Sequence, residues 1–185
     1  YEERYEPENG DLIFHESTSR QSEAIQLLTG SRYTHMGIVY VDRKRAYVYE
    51  AVGPVKVTPL DAWIARGKDG HFVAKRLADA DEVLTPGTVT EMKKVGDRFR
   101  GRDYDLQFLW SDDRLYCSEL VWKIYRRGAG IEIGTPQVFG DFDLDDPRTR
   151  ELVKQRFEGA VPEQERVITP VAMFDSKRLV TVFSN

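Results

Sequence analysis

The sequence predicts an α+β fold with an antiparallel sheet. Two β-rich runs, His35 to Val41 and Ala46 to Val52, are joined by only four polar residues, which reads as a hairpin. Apolar positions stepping by three or four mark amphipathic helices from Thr85-Pro86 to Phe99 and from about Cys117 to Arg127. Strands and helices are partly segregated along the chain, and no internal repeat, low-complexity tract or linker divides it, so residues 1–185 are expected to form one domain.

In chain order, Asp11 to His15 reads as a short strand, and Gln21 to Leu28 as a helix ended by Gly30. After the hairpin, Val55 to Val57 is a further short strand. Thr58-Pro59 then reads as a cap with Pro in the first helical position, opening a helix through Ala65. His71 to Leu77 is again a strand. The helix from Pro86 buries Val89, Met92, Val95 and Phe99 and stops at Gly101, and the helix from Cys117 is expected to end at Gly128. Asp146-Pro147 starts a shorter helix towards Phe157, and Val167 to Phe183 is apolar enough for one or two strands.

Composition narrows the chemistry. The chain has 185 residues, 41% hydrophobic, with nine Phe, nine Tyr and three Trp to fill a core. Twenty-seven Lys and Arg against 31 Asp and Glu leave a net charge of −4, too balanced for electrostatic capture of nucleic acid or an anionic membrane. No apolar run approaches the roughly 18 residues of a membrane span. Three scattered histidines and one cysteine lack metal-ligand spacing, and Gly128-Ala129-Gly130 follows a helix instead of opening one, so neither a metal nor a phosphate-bearing cofactor is expected. The lone cysteine cannot form an internal disulfide. The chain starts at Tyr1 rather than Met, which fits either a removed export leader or a start inside a longer chain.

Cys117 is the first candidate for reactivity. Leu120, Val121 and Ile124 form the inward stripe of its helix, which puts Cys117 in the first turn, facing unpaired backbone N–H groups and the positive end of the helix dipole. Such a site favours a thiolate. A thiolate needs a base, and the hairpin selects one. With Val41 opposite Ala46, Gly37 falls opposite Glu50, and His35 becomes a diagonal neighbour of Glu50 on the same face. Gly37 would then leave room for the imidazole to lean over. Glu50 stands alone in an otherwise apolar run, where a carboxylate must be satisfied, either by a neighbouring Arg or Lys or by His35. His15 and His71 have no acid in a matching position and read as surface or structural residues.

Five segments carry a resemblance: Gly10-Asp11-Leu12-Ile13-Phe14, Tyr33-Thr34-His35-Met36-Gly37-Ile38-Val39, Val48-Tyr49-Glu50-Ala51, Tyr104-Asp105, and Tyr116-Cys117-Ser118-Glu119-Leu120-Val121. Together they resemble the YiiX/YebB-like permuted papain-like amidases, the circularly permuted branch of the NlpC-type cysteine peptidases, with histidine first and cysteine later. The resemblance implies a papain-like core with Cys117 as nucleophile at a helix N-terminus, His35 as base and then acid, and Glu50 as the third polar member. It also implies that Tyr104 points its hydroxyl towards the thiol. No motif matches past about residue 130.

The expected reaction is hydrolysis of an amide or ester through a thioacyl enzyme, on a small peptide-like or lipid-like acyl substrate and without a cofactor. Two other readings share these residues: acyl transfer to an amine or alcohol, and a non-catalytic binder that retains the cleft. Tyr33, Tyr40, Tyr47 and Tyr49 either line an apolar cleft or pack the sheet. Bacterial relatives implied by the resemblance are often exported, which fits a periplasmic location after leader removal, but the start at Tyr1 equally fits a longer chain, so the sequence does not fix the compartment; oligomeric state has no signature in the sequence.

Overall fold

A computed structural model describes residues 4–157 and 162–185. Six antiparallel strands form the main sheet: β1 (Leu12–His15), β2 (His35–Asp42), β3 (Arg45–Ala51), β4 (Val55–Pro59), β5 (Val73–Leu77) and β10 (Leu179–Ser184). Their order across the sheet is β10-β5-β1-β2-β3-β4. The helices are α1 (Arg20–Thr29), α2 (Leu60–Arg66), α3 (Ala80–Val83), α4 (Pro86–Phe99), α5 (Cys117–Ala129), α6 (Pro147–Arg156) and α7 (Pro170–Phe174). Two short pairs lie outside the main sheet: β6 (Asp103–Tyr104) beside β7 (Arg114–Leu115), and β8 (Gln137–Val138) beside β9 (Arg166–Val167). The fold is therefore α+β, as expected.

The hairpin register is the expected one, with Val41 opposite Ala46 and Ile38 opposite Tyr49. Its turn is tighter than the four polar residues suggest. Pairing continues to Asp42 and Arg45, leaving Arg43 and Lys44 as a two-residue turn with φ of 44° and 66°. Two positive φ values match the twist of antiparallel strands, which is why the turn accepts them without glycine. Regular pairing of β2 with β3 stops at Ile38 and Tyr49, although β3 continues along β4 to Ala51 and β2 along β1 to His35. His35 and Glu50 thus stand at one end of the sheet, just past the last rung they could share.

The two faces of the sheet are filled unequally. The larger core takes Leu12, Met36, Ile38 and Tyr49 from the sheet with Met92, Leu120, Val121 and Ile124 from α4 and α5. The smaller packs Ile13, Val39 and Val48 under Trp63 of α2. Thr85 caps α4 by accepting from the Thr88 N–H at 3.2 Å, and Asp146 caps α6 through Arg148 and Thr149.

Three expectations need correction. Pro59 is the last residue of β4 and precedes α2 instead of opening it, which frees the Thr58 hydroxyl to face Glu50. The helix from Cys117 ends not at Gly128 but at Gly130, whose φ of 71° makes the left-handed C-cap. The chain from Val167 contributes a helix, α7, between its strands, capped by Thr169 with Pro170 in the first turn.

Gly128 has a packing role: a Cβ there would sit 2.6 Å from the Met92 Cα, so its absence lets α5 approach the backbone of α4. Alanine in a helix interior normally stabilises relative to glycine by about 1 kcal/mol. Here Gly128→Ala is expected to destabilise by about 1–3 kcal/mol through overpacking. Urea unfolding reads the sign, and a stabilised variant would contradict the close crossing.

Candidate active site

Cys117 opens α5, behind an extended Tyr116 at the N-cap. Both neighbours of Cys117 are tied to the segment before α7: the Tyr116 hydroxyl accepts from the Ile168 N–H at 3.2 Å, and the Ser118 hydroxyl donates to the Ile168 carbonyl at 2.7 Å. Behind them Glu119, fully buried, accepts from the Tyr116 and Ser111 N–H groups and pairs with Lys123 at 2.7 Å. Burial pushes the Glu119 carboxyl up to about 7, against the pull of Lys123. These bonds fix the first turn of α5. The Cys117 thiol is 1% exposed and directed at the Thr34 carbonyl oxygen, 3.9 Å away.

His35 follows Thr34 directly, which brings its imidazole to the sulfur. Its Nε2 meets Glu50 Oε2 at 2.6 Å, leaving Nδ1 as the ring nitrogen for the thiol. Burial alone would lower the His35 pKa; hydrogen bonding to Cys117 and Glu50 and their negative charge outweigh it and raise the value to about 9. Glu50 is 0% exposed and fully engaged. Oε1 accepts from Thr58 Oγ1 at 2.6 Å and Arg66 Nη2 at 2.5 Å, and Oε2 accepts from the same Nη2 at 2.6 Å. Burial raises a carboxyl, but His35, Thr58 and Arg66 together hold Glu50 down at about 2. Both sequence readings of Glu50 are realised at once: it is bonded to the histidine and salt-bridged to an arginine.

Gly37 plays a different part from the one expected. The space over it is occupied: a Cβ would lie 2.3 Å from Val48 Cγ1 and 2.8 Å from the Tyr49 carbonyl. Glycine permits close strand approach there, and the imidazole reaches Glu50 past the end of the ladder.

Tyr104, on β6, is close enough to Cys117 that the sulfur's negative charge adds to burial in raising its hydroxyl well above the ordinary range. Tyr104, His35 and Thr34 line a cavity of about 610 Å³, within the usual size for a small-molecule site. Its lining also carries the hydroxyls of Ser17, Thr18, Ser19 and Ser22 and the charged side chains of Arg66, Lys68 and Asp69. None of Tyr33, Tyr40, Tyr47 and Tyr49 lines it. Tyr40 and Tyr49 pack edge to face at 5.0 Å inside the core, and Tyr33 stacks on Phe174 at 4.4 Å.

His15 also belongs to this cavity, contrary to the expectation of a surface or merely structural residue. It pairs with His35 across β1 and β2, is 2% exposed, and stacks on Trp63 at 3.9 Å. The pairing of the first strand with the hairpin was the missing signal. His71 bonds Tyr33 and the carbonyl of Asn185, away from the cavity. Arg66 was missed because only the folding of α2 back over the sheet brings it to Glu50, and Thr58 because it reads as a helix cap, whereas it lies on β4, diagonal to Glu50 across the pairing with β3.

Residues 6–183 match the family described as permuted papain-like amidase enzyme, YaeF/YiiX, C92 family. The chain belongs to this family. It is 42% identical to YiiX of Escherichia coli strain K12 over 178 residues, 96% of this chain and 87% of that one. A crystal structure titled metalloprotein YiiX, from Escherichia coli O157:H7, superposes with a TM-score of 0.91 at 42% identity, covering 98% of this chain and 99% of that chain. The permuted papain-like fold therefore accounts for the histidine preceding the cysteine in the chain, and membership supports a cysteine hydrolase at the level of the family.

Proposed function

We propose that this permuted papain-like amidase hydrolyses an amide bond in a polar, peptide-like substrate, with Cys117 as nucleophile, His35 as general base and acid, and Glu50 as its orienting acid. The observation that carries the reading is the 2.6 Å bond from His35 Nε2 to a Glu50 carboxylate that Arg66 and Thr58 also hold, in an imidazole that reaches Cys117. The Cys117 sulfur attacks the substrate carbonyl carbon, forming a C–S bond, and its proton resides on His35. The resulting oxyanion meets the Cys117 backbone N–H at the head of α5, with the Tyr104 hydroxyl as the second donor. Collapse expels the amine, which takes the proton from His35. A water molecule, deprotonated by His35, then cleaves the thioester and releases the acid.

The hydroxyls and charged side chains of the cavity lining support a polar substrate over a lipid-like one. A YiiX relative is titled a metalloprotein, but among the described residues of this chain no three His, Cys, Asp or Glu side chains converge to hold an ion, so no step is routed through a metal.

The test is alkylation by iodoacetamide at pH 6, where an ordinary thiol is roughly 0.3% ionised. Cys117 is expected to react at least about tenfold faster than glutathione, and the excess to vanish in His35→Ala. A rate equal to glutathione would favour a non-catalytic binder. Mass analysis of products then separates the enzymatic readings: free acid for hydrolysis, an acylated amine or alcohol for transfer.

A further inference from the structure

His15 is a buried histidine that the proposed mechanism does not use, and among the described residues it has no hydrogen-bond partner. Its Nδ1 is sealed from solvent and unsatisfied, pressed against Gly67, where even a Cβ would lie 2.8 Å from it. An N–H aimed there would have no acceptor, so the proton belongs on Nε2. Nε2 has no partner among the described residues and is not among the sealed atoms, and the residue lines the cavity beside His35 and Tyr104. The ring is packed on two sides. It stacks on Trp63 at 3.9 Å with an interplanar angle of 19°, and its centroid is 5.2 Å from that of His35.

Buried polar groups in folded proteins find partners, and one left open at a cavity wall points to a partner that arrives with the ligand. We propose that His15 contacts the substrate, its Nε2–H donating a hydrogen bond to a carbonyl oxygen of the peptide-like chain bound in this cavity. The inference rests on the function proposed above. The charged groups around the ring are His35 on β2, Glu50 on β3 and Arg66 on α2. Burial, His35 and Arg66 outweigh Glu50 and hold the His15 pKa near 3. The imidazole is therefore neutral at working pH, and its Nε2–H is a donor without a charge of its own.

Inactivation of Cys117 by an acetyl-Ala-Ala chloromethyl ketone tests this, because the reagent brings both a thiol trap and peptide carbonyls. In His15→Phe, which keeps the stack on Trp63 but removes the donor, the half-saturating reagent concentration is expected to rise about tenfold or more. The limiting inactivation rate and its pH profile should stay unchanged. His15→Gln, which places an N–H near the position of Nε2, should recover to within about threefold; a purely structural role would not show this rescue. If His15→Phe does not fold, His15→Met fills the same space without a donor. Half-saturation within twofold of wild type in the donorless variant, or a His15→Gln variant as weak as His15→Phe, would overturn the contact. So would a wild-type protein that iodoacetamide labels quickly but the peptide reagent does not. Slow labelling of wild type by both reagents removes the proposed function and this inference with it.

Discussion

Cys117→Ser is expected to lower acyl turnover by about 10⁴-fold or more, the scale seen when a hydrolase loses its nucleophile. The two side chains differ by one atom, but a serine hydroxyl does not ionise beside an imidazole as a thiol does, so the proposed C–S bond has no good substitute. The fold should tolerate the change. The position is buried against Thr34, whose carbonyl oxygen already accepts from the thiol and can accept from a hydroxyl, and the bonds of Tyr116 and Ser118 to Ile168 do not involve the sulfur. A thermal midpoint within a few degrees of wild type alongside lost turnover would separate chemistry from folding. Cys117 is also the only cysteine in the chain, so iodoacetamide should label the variant nowhere. Turnover within tenfold of wild type would remove Cys117 from the nucleophile's role.

The parts of this site differ in how far the sequence exposes them, and the difference is physical. His35 and Glu50 were legible because a hairpin with a short turn has a register that can be counted, and counting places them on one face. Cys117 was legible because an inward stripe of Leu120, Val121 and Ile124 locates the first turn of its helix. Arg66 and His15 were not, because each reaches the site through a pairing that no local pattern reports: α2 folding over the sheet, and β1 taking its place beside β2. Thr58 was not, because Thr-Pro before an apolar run reads locally as a helix cap, whereas the residue belongs to β4 and faces Glu50 of β3. Beyond residue 130 the chain carries no matching motif, yet Ile168 grips the residues on both sides of Cys117. It does so partly through backbone atoms, which leave no mark on residue identity. Gly128 was misread for a related reason. A glycine inside a helix looks like a terminator in one dimension, and only the crossing with Met92 shows it as a contact.

Glu50→Gln removes the buried charge that both His35 and Arg66 address. Each Glu50 oxygen accepts from Arg66 Nη2, one also from Thr58 and the other from His35. A glutamine offers only one such oxygen, so whichever way its amide turns, an N–H opposes Arg66, together with His35 in one orientation and Thr58 in the other. Loss of the orienting acid is expected to lower turnover by about 10²–10⁴-fold, and removing one partner of a buried ion pair to cost about 3–5 kcal/mol of stability. The pH dependence carries the sharper signature. With its folded pKa held at about 2 against 4.5, Glu50 contributes stability that is present above pH 4.5 and lost as pH falls through 2. His35, raised to about 9 from 6.5, contributes stability that is complete below pH 6.5 and lost as pH rises through 9. In the variant the acid-side loss should disappear and the alkaline loss move towards pH 6.5, since the carboxylate no longer favours the imidazolium. The alkaline limb of Cys117 alkylation attributable to His35 should shift in the same direction. Urea unfolding at pH 3, 6 and 9 reads the first effect and alkylation rates the second. Unchanged turnover with only the stability loss would make Glu50 a structural anchor for Arg66, and an alkaline limb still near pH 9 would mean that something other than this carboxylate keeps His35 charged.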